Sequence, residues 1–248
     1  MIGHCAAAEI HAGRLTICRY LLLSGVAVFP YTRRKSRYPE ASGAHSRQDD
    51  RLSIHKKTLS QRLGLAIARA IGWQVRVEQS PPAKCVIIGA HHTSSWDLLM
   101  TLILMWGAKL RFRWLAKDTL FRWPLGALMR SLGGMPIDRR VKGDFVQYAV
   151  DAFRASDELM IAIAPEGTRR EVAHWKTGFY YIAVGACVPI VMGYADYKRR
   201  IVGLGPVLIP SGDVQADFEV IRSFYANVAG RYPSRQGEVA VQPSRATL

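Results

Sequence analysis

The chain has few acidic residues for its length, 19 Asp and Glu against 34 Lys and Arg, which leaves a formal charge of +15. A surplus of that size argues against a cationic partner and for an anionic one: nucleic acid, anionic lipid or a phosphorylated small molecule. Cysteine is scarce and scattered, with Cys5, Cys18, Cys85 and Cys187 forming no C-x-x-C pair. A zinc ribbon and a disulfide framework are therefore not indicated, and a reducing compartment is expected. No uncharged apolar run approaches the roughly 20 residues a helix needs to span a bilayer. The stretch "YLLLSGVAVFP" could pass for the apolar centre of a secretory signal, but "YTRRKSR" follows where a cleavage site should lie. Neither an internal repeat nor a G-x-S-x-G nucleophile elbow is present.

What is there is apolar enough to fold. Hydrophobic residues make up 49% of the 248, which excludes global disorder and allows one sizeable core. Residues 1–57 end in an aperiodic, Arg- and Ser-rich stretch and are expected to form a basic extension, either poorly ordered or membrane-associated. From Thr58, apolar residues at Leu59, Leu63, Ala66, Ile67, Ala70 and Ile71 predict a helix, with Arg62 and Arg69 off the stripe. Such a helix suits packing on the domain and a membrane surface equally.

Beyond it the sequence repeats one grammar. Short apolar runs, "KCVIIGA", "RFRWLAK", "ELMIAIAP" and "VPIVMGYAD", alternate with helical stretches such as "LLMTLILMWGA", "FRWPLGALMRSLG", "DFVQYAVDAFRAS" and "TGFYYIAVGA". "RIVGLGPVLI" adds a further run, and a last helix is expected from about Asp213 to Val228. Buried strands alternating with helices predict a single α/β domain over 58–230, with a mostly parallel central sheet flanked by helices on both faces. Residues 231–248 are expected to form a flexible tail.

Polar clusters follow several of these strands, where open α/β sheets bind ligands. In "GAHHTSSWDLL" (89–99), His92 and Asp97 are five positions apart and would diverge on one helix. They meet only if His92 lies in the loop and Asp97 in the first helical turn. The carboxylate would then orient the imidazole as a general base. Ser94 and Asp97 also fit a helix capping box, which needs no chemistry at all. His91 beside His92 raises a metal site, and Ser94 or Ser95 a nucleophile. In "GGMPIDRR" (133–140), Arg139 or Arg140 suits a phosphate clamp, or Asp138 pairs with them at the surface. In "APEGTRR" (164–170), Gly167 allows close backbone approach, Thr168 offers a hydroxyl and Arg169 a second guanidinium; a tight turn is the simpler alternative.

In order and spacing, "HHTSSWD", "GGMPIDRR", "PEGTRR" and "VPIVMG" resemble the four motif blocks of the phospholipid/glycerol acyltransferase family, which includes the 1-acylglycerol-3-phosphate O-acyltransferases. The resemblance runs from about Lys84 to Asp196. It implies transfer of a fatty acyl group from an acyl-CoA or acyl-carrier-protein thioester to a hydroxyl of a lysophospholipid or glycerol phosphate, without metal or cofactor. By that resemblance His92 is the base and Asp97 its partner, Arg139, Glu166, Gly167, Thr168 and Arg169 form the acceptor-phosphate site, and Pro189 shapes the acyl pocket. Backbone N–H groups near the His92 loop are the expected oxyanion donors. His91 stands where the family has Asn or Pro, and Ala164 where it has Phe.

A lipid acceptor implies an anionic membrane surface as partner and a cytoplasmic, peripheral location on the inner face of the membrane. The basic aromatic segment "KLRFRWLAKDTLFRW" (109–123) suits that surface, and composition alone suits single-stranded nucleic acid as well. A serine hydrolase working through Ser94 or Ser95, and a non-enzymatic basic module binding membrane or nucleic acid, are the alternatives.

Overall fold

Seven strands form one sheet in the order β1-β7-β6-β2-β5-β3-β4. They are β1 (Gln74–Val77), β2 (Lys84–Ala90), β3 (Arg113–Lys117), β4 (Gly134–Ile137), β5 (Leu159–Ile163), β6 (Ile190–Asp196) and β7 (Ile201–Leu208). The computed structural model describes residues 58–137 and 144–241. The predicted basic extension of residues 1–57 and the candidate clamp Arg139 lie outside the described residues.

Five neighbouring strands, β6, β2, β5, β3 and β4, run parallel. Only β7 reverses against β6, and β1 pairs parallel to β7. This is the mostly parallel α/β sheet expected from the alternating pattern. The C-terminal ends of the parallel strands share one edge, so the loops after β2, β3, β5 and β6 converge there.

Side chains alternate between the two sheet faces and build two cores. On one face Val86, Ile88, Ile161, Ile190 and Met192 pack against α4 (Asp144–Ala155), α5 (Gly178–Ala186) and α6 (Val214–Tyr225). On the other Cys85, Ile87, Trp114, Val191 and Val202 meet α1 (Leu59–Ala70) and α2 (Trp96–Gly107). Burial pushes the Cys85 thiol up to about 12, so it stays neutral.

Several elements differ from their sequence-based expectation. Helix α1 packs on α2 through Gly64, where a Cβ would lie 2.7 Å from the Gly107 nitrogen and 2.7 Å from the Trp106 Cβ. Its close-approach face is thus made of Gly64 and Ala68, and most of the predicted apolar stripe faces outward, with Leu59 84% exposed. The helix expected over "FRWPLGALMRSLG" is shortened to α3 (Gly126–Ser131), preceded by a 3-10 turn at Asp118–Phe121. Pro124 explains this, since it disfavours helical backbone at Trp123 and lacks an N–H.

The segment 231–241, expected to be loose, packs on the domain. Val239 is buried, Val241 bridges to Trp175, the Arg222 Nε donates to the Val239 carbonyl at 2.9 Å, and Gly237 fits against the Val172 backbone. Its polar composition hid these side chain to backbone bonds.

Candidate active site

The end of β2 delivers His91 and His92 to the shared edge, and α2 begins four residues later. Asp97 occupies the first turn of α2 and His92 the loop before it, so five positions of sequence become a contact of 3.1 Å between His92 Nδ1 and Asp97 Oδ2. The capping reading holds as well: Asp97 Oδ2 accepts the Ser94 N–H at 2.9 Å, and Ser94 Oγ accepts the Trp96 N–H at 3.2 Å. One carboxylate therefore fixes both the helix start and the imidazole.

Nδ1 lies against a carboxylate, which can only accept, so this contact favours the tautomer with the proton on Nδ1 and the lone pair on Nε2. No hydrogen bond to Nε2 is present among the described residues. The His92 side chain is 32% exposed against 10% for Asp97, which places the imidazole nearer the surface and the carboxylate beneath it.

Asp97 has a third donor that the sequence did not reveal. Tyr197, just past β6, donates its hydroxyl to Oδ1 at 2.7 Å and stacks edge-on against Trp73. Burial, and then the hydrogen bond to Asp97, raise the Tyr197 pKa above its ordinary value, so the hydroxyl keeps its proton where a free tyrosine would lose it. An unfolded tyrosine ionises near pH ~10, hence stability from this group is complete below that pH and falls as pH rises above it. Replacing Tyr197 by Phe leaves one carboxylate oxygen without its donor. The expected cost is about 1–3 kcal/mol, read by denaturant unfolding, with a smaller alkaline decline than in the wild type.

Glu166 follows β5 and is buried, with no exposed side-chain surface. Its Oε2 accepts the His92 N–H at 3.0 Å and its Oε1 lies 3.3 Å from His91 Nδ1. The carboxylate is thus buried against the two histidines and not exposed among the phosphate ligands where the resemblance places it. Gly167 adopts φ +65°, and a Cβ there would sit 3.0 Å from Lys176 Nζ. The close approach it permits is thus that of a lysine. Thr168 Oγ1 accepts the Arg170 N–H at 3.4 Å, a short turn of its own, and Arg169 donates to the Ser95 hydroxyl.

Two cavities open at this edge. The first, about 330 Å³, lies on the α2 side of the sheet and is lined by Gly89, Ala116, Ala162, Gly193 and Ala195 from the strands and Leu98, Thr101 and Leu104 from α2. Small residues at neighbouring strand positions leave the hollow. The second, about 440 Å³, combines Lys117, Arg169 and Lys176 with Phe145, Phe179 and Ile182. His92 and Arg169 line both.

Pro189 lines neither. It precedes β6, its carbonyl accepting the Val86 N–H at 3.0 Å, at the opposite edge of the sheet from His92. Val86 and Ala90 are four residues apart on β2, roughly 13 Å at about 3.3 Å per residue. The resemblance gives it to the acyl pocket, whereas here a proline at a strand start forgoes an N–H that the ladder does not need. Of the expected oxyanion donors, the His92 and Ser94 N–H groups are already bound to carboxylates.

Among the described residues no group of three His, Cys, Asp or Glu side chains is placed to hold a metal ion. Neither serine is hydrogen-bonded to a histidine: Ser94 Oγ takes a backbone N–H and Ser95 faces Arg169. The residues missed from sequence, Tyr197, Lys117 and Lys176, share a retrievable signal in two cases. Tyr197 and Lys117 sit at the C-terminal ends of predicted strands, where ligands gather.

Residues 73–192 match the model of the Acyltransferase family. Among solved structures, the 1-acyl-sn-glycerophosphate acyltransferase PlsC from Thermotoga maritima is similar in fold, with a TM-score of 0.51 at 20% identity over 70% of this chain and 79% of that one. No match is found among curated proteins. Residues 73–192, built around this His92–Asp97 loop, carry the Acyltransferase match, and together with the PlsC-like fold that match supports an O-acyltransferase.

Proposed function

We propose that this chain transfers a fatty acyl group from an acyl-CoA or acyl-carrier-protein thioester to the free hydroxyl of a lysophospholipid, with 1-acylglycerol-3-phosphate as the acceptor. One observation carries the reading: an imidazole whose Nδ1 is tied to a carboxylate stands where an apolar cavity and a cationic one meet. The acceptor hydroxyl gives its proton to His92 Nε2 as its oxygen attacks the thioester carbonyl. The tetrahedral intermediate then collapses, the C–S bond breaks, and the thiolate takes the proton back from the imidazolium. No enzyme-bound acyl group is needed, because a thioester is already activated. Orienting two substrates supplies roughly 7–11 kcal/mol, more than a placed base does.

The two cavities divide the substrates. The first, floored by glycine and alanine, suits the acyl chain of the donor. The second pairs three cations with Phe145, Phe179 and Ile182, which suits an anionic acceptor bearing a hydrocarbon chain of its own better than bare glycerol phosphate. The Thermotoga maritima protein, a 1-acyl-sn-glycerophosphate acyltransferase, is named for such an acceptor. Arg169, on the rim of both cavities, is the guanidinium of the described residues assigned to the phosphate, and Arg139 is kept as its partner.

A lipid acceptor places the protein at an anionic membrane surface, on the cytoplasmic side. Trp123 is 93% exposed, with exposed Leu125 and Leu128 beside it and Arg122 and Arg130 flanking, a composition suited to an interface. No helix among the described residues is long and apolar enough to cross a membrane.

The test is direct: purified protein, labelled acyl-CoA or acyl-carrier protein, and a panel of lysolipids, glycerol phosphate and water as acceptors. Diacyl product from 1-acylglycerol-3-phosphate is expected; free fatty acid together with a trapped acyl-serine would establish the hydrolase instead. Arg169→Ala is expected to raise the acceptor KM roughly tenfold with kcat little changed, the loss of one charged hydrogen-bonding group. An unchanged KM would move the phosphate elsewhere.

A further inference from the structure

The two adjacent histidines do opposite things. His92 faces the cavities, while His91 is 6% exposed and turned into the core, its ring edge-on to Trp175 and Tyr225 and its Nε2 3.5 Å from the Tyr225 carbonyl oxygen. Behind the His92–Asp97 contact there is thus a second histidine–carboxylate contact, His91 Nδ1 to Glu166 Oε1 at 3.3 Å. The two atoms are near each other without the alignment of a hydrogen bond, and no other partner reaches either. A carboxylate buried with so little compensation is costly unless the surroundings hold it there.

The compensation comes from the loop itself. The other oxygen, Oε2, accepts the backbone N–H of His92 at 3.0 Å. Glu166 therefore clamps the end of β5 to the peptide that carries the catalytic imidazole. A phosphate entering the cationic cavity cannot reach a carboxylate with no exposed surface, and like charges would repel if it did.

Resting on the acyl-transfer reading, we propose that Glu166 and His91 form a buried positioning pair for His92 and take no part in binding the acceptor. Asp97 sets the ring's tautomer; Glu166, faced by His91, sets where the ring's backbone stands.

Glu166→Gln and His91→Gln keep side-chain size, and a melting curve and circular dichroism establish that each folds. The expected result is a kcat reduced roughly tenfold in Glu166→Gln, as for loss of one charge-assisted hydrogen bond, with acceptor KM within about twofold of wild type. His91→Gln is expected to fall less, and the double variant no further than Glu166→Gln alone, because the two act as one unit. Arg169→Ala in the same assay is the contrast, moving KM. The His92 amide in 15N-labelled protein gives a readout independent of turnover: it should shift upfield and exchange faster in Glu166→Gln.

A raised acceptor KM with unchanged kcat in Glu166→Gln would overturn the proposal and return Glu166 to the phosphate. So would a His92 amide that does not move. If wild-type protein transfers no acyl group to any acceptor, the acyl-transfer reading fails, and the amide shift alone decides whether the pair holds His92.

Discussion

Folded His92→Ala protein is expected to lose acyl transfer by about 10²–10⁴-fold in kcat, the usual contribution of a positioned general base. The structure makes this a clean substitution. His92 is one-third exposed and its ring contacts Asp97 without filling the core, so its removal takes away the base and little packing. Asp97→Asn is the companion experiment with a different cause. An amide in that place can donate to Nδ1, which would move the proton to Nε2 and leave the ring unable to accept the substrate's. A loss of similar size with the imidazole still present is expected. Asp97→Asn also weakens the bonds to the Ser94 N–H and the Tyr197 hydroxyl, so a lower melting temperature should accompany it, whereas His92→Ala should melt near wild type. Both are checked with a labelled thioester donor and a lysolipid acceptor. A folded His92→Ala protein that turns over at the wild-type rate would dismiss this histidine as base.

The strands were legible because a parallel strand buried on both faces reads as an unbroken apolar run, and "KCVIIGA" became β2 over Lys84–Ala90. The His92–Asp97 contact was legible for a geometric reason: five positions meet only across a loop-to-helix junction. Other features escaped because no local pattern encodes them. Tyr197 reaches Asp97 across 100 residues of sequence, and only the order of strands in the sheet brings the ends of β6 and β2 together. The family resemblance alone places Glu166 with the phosphate ligands, and its burial is not written in the sequence. The stripe on α1 was correctly periodic, but Gly64 outweighed it, since a close backbone approach to α2 depends on the residue that contributes least hydrophobicity. The cavity on the α2 side is assembled from single small residues on different strands, each ordinary when read alone.

That cavity can be closed from one of those positions. Gly89 lies in β2 opposite Gly193 of β6, and a Cβ built on it meets nothing within 4 Å. Gly193 has no such freedom, with Ile87 Cγ2 at 3.1 Å and the Ile88 carbonyl at 3.2 Å. Gly89→Leu is therefore expected to fill the hollow without moving the sheet, and glycine in a strand interior is a weak choice that leucine improves. Stability should stay level or rise while activity toward long-chain donors falls. Each excluded methylene forfeits about 0.8 kcal/mol, so displacing four costs roughly 3 kcal/mol, on the order of 200-fold in kcat/KM. A donor with two to four carbons needs little of the cavity and should lose far less. Melting curves and a chain-length series of acyl thioesters read both effects in one variant. Equal losses for short and long donors would mean that leucine disturbs His92, three residues on; no loss for either would place the acyl chain in the cavity beside Phe179 and Ile182 and exchange the two substrates.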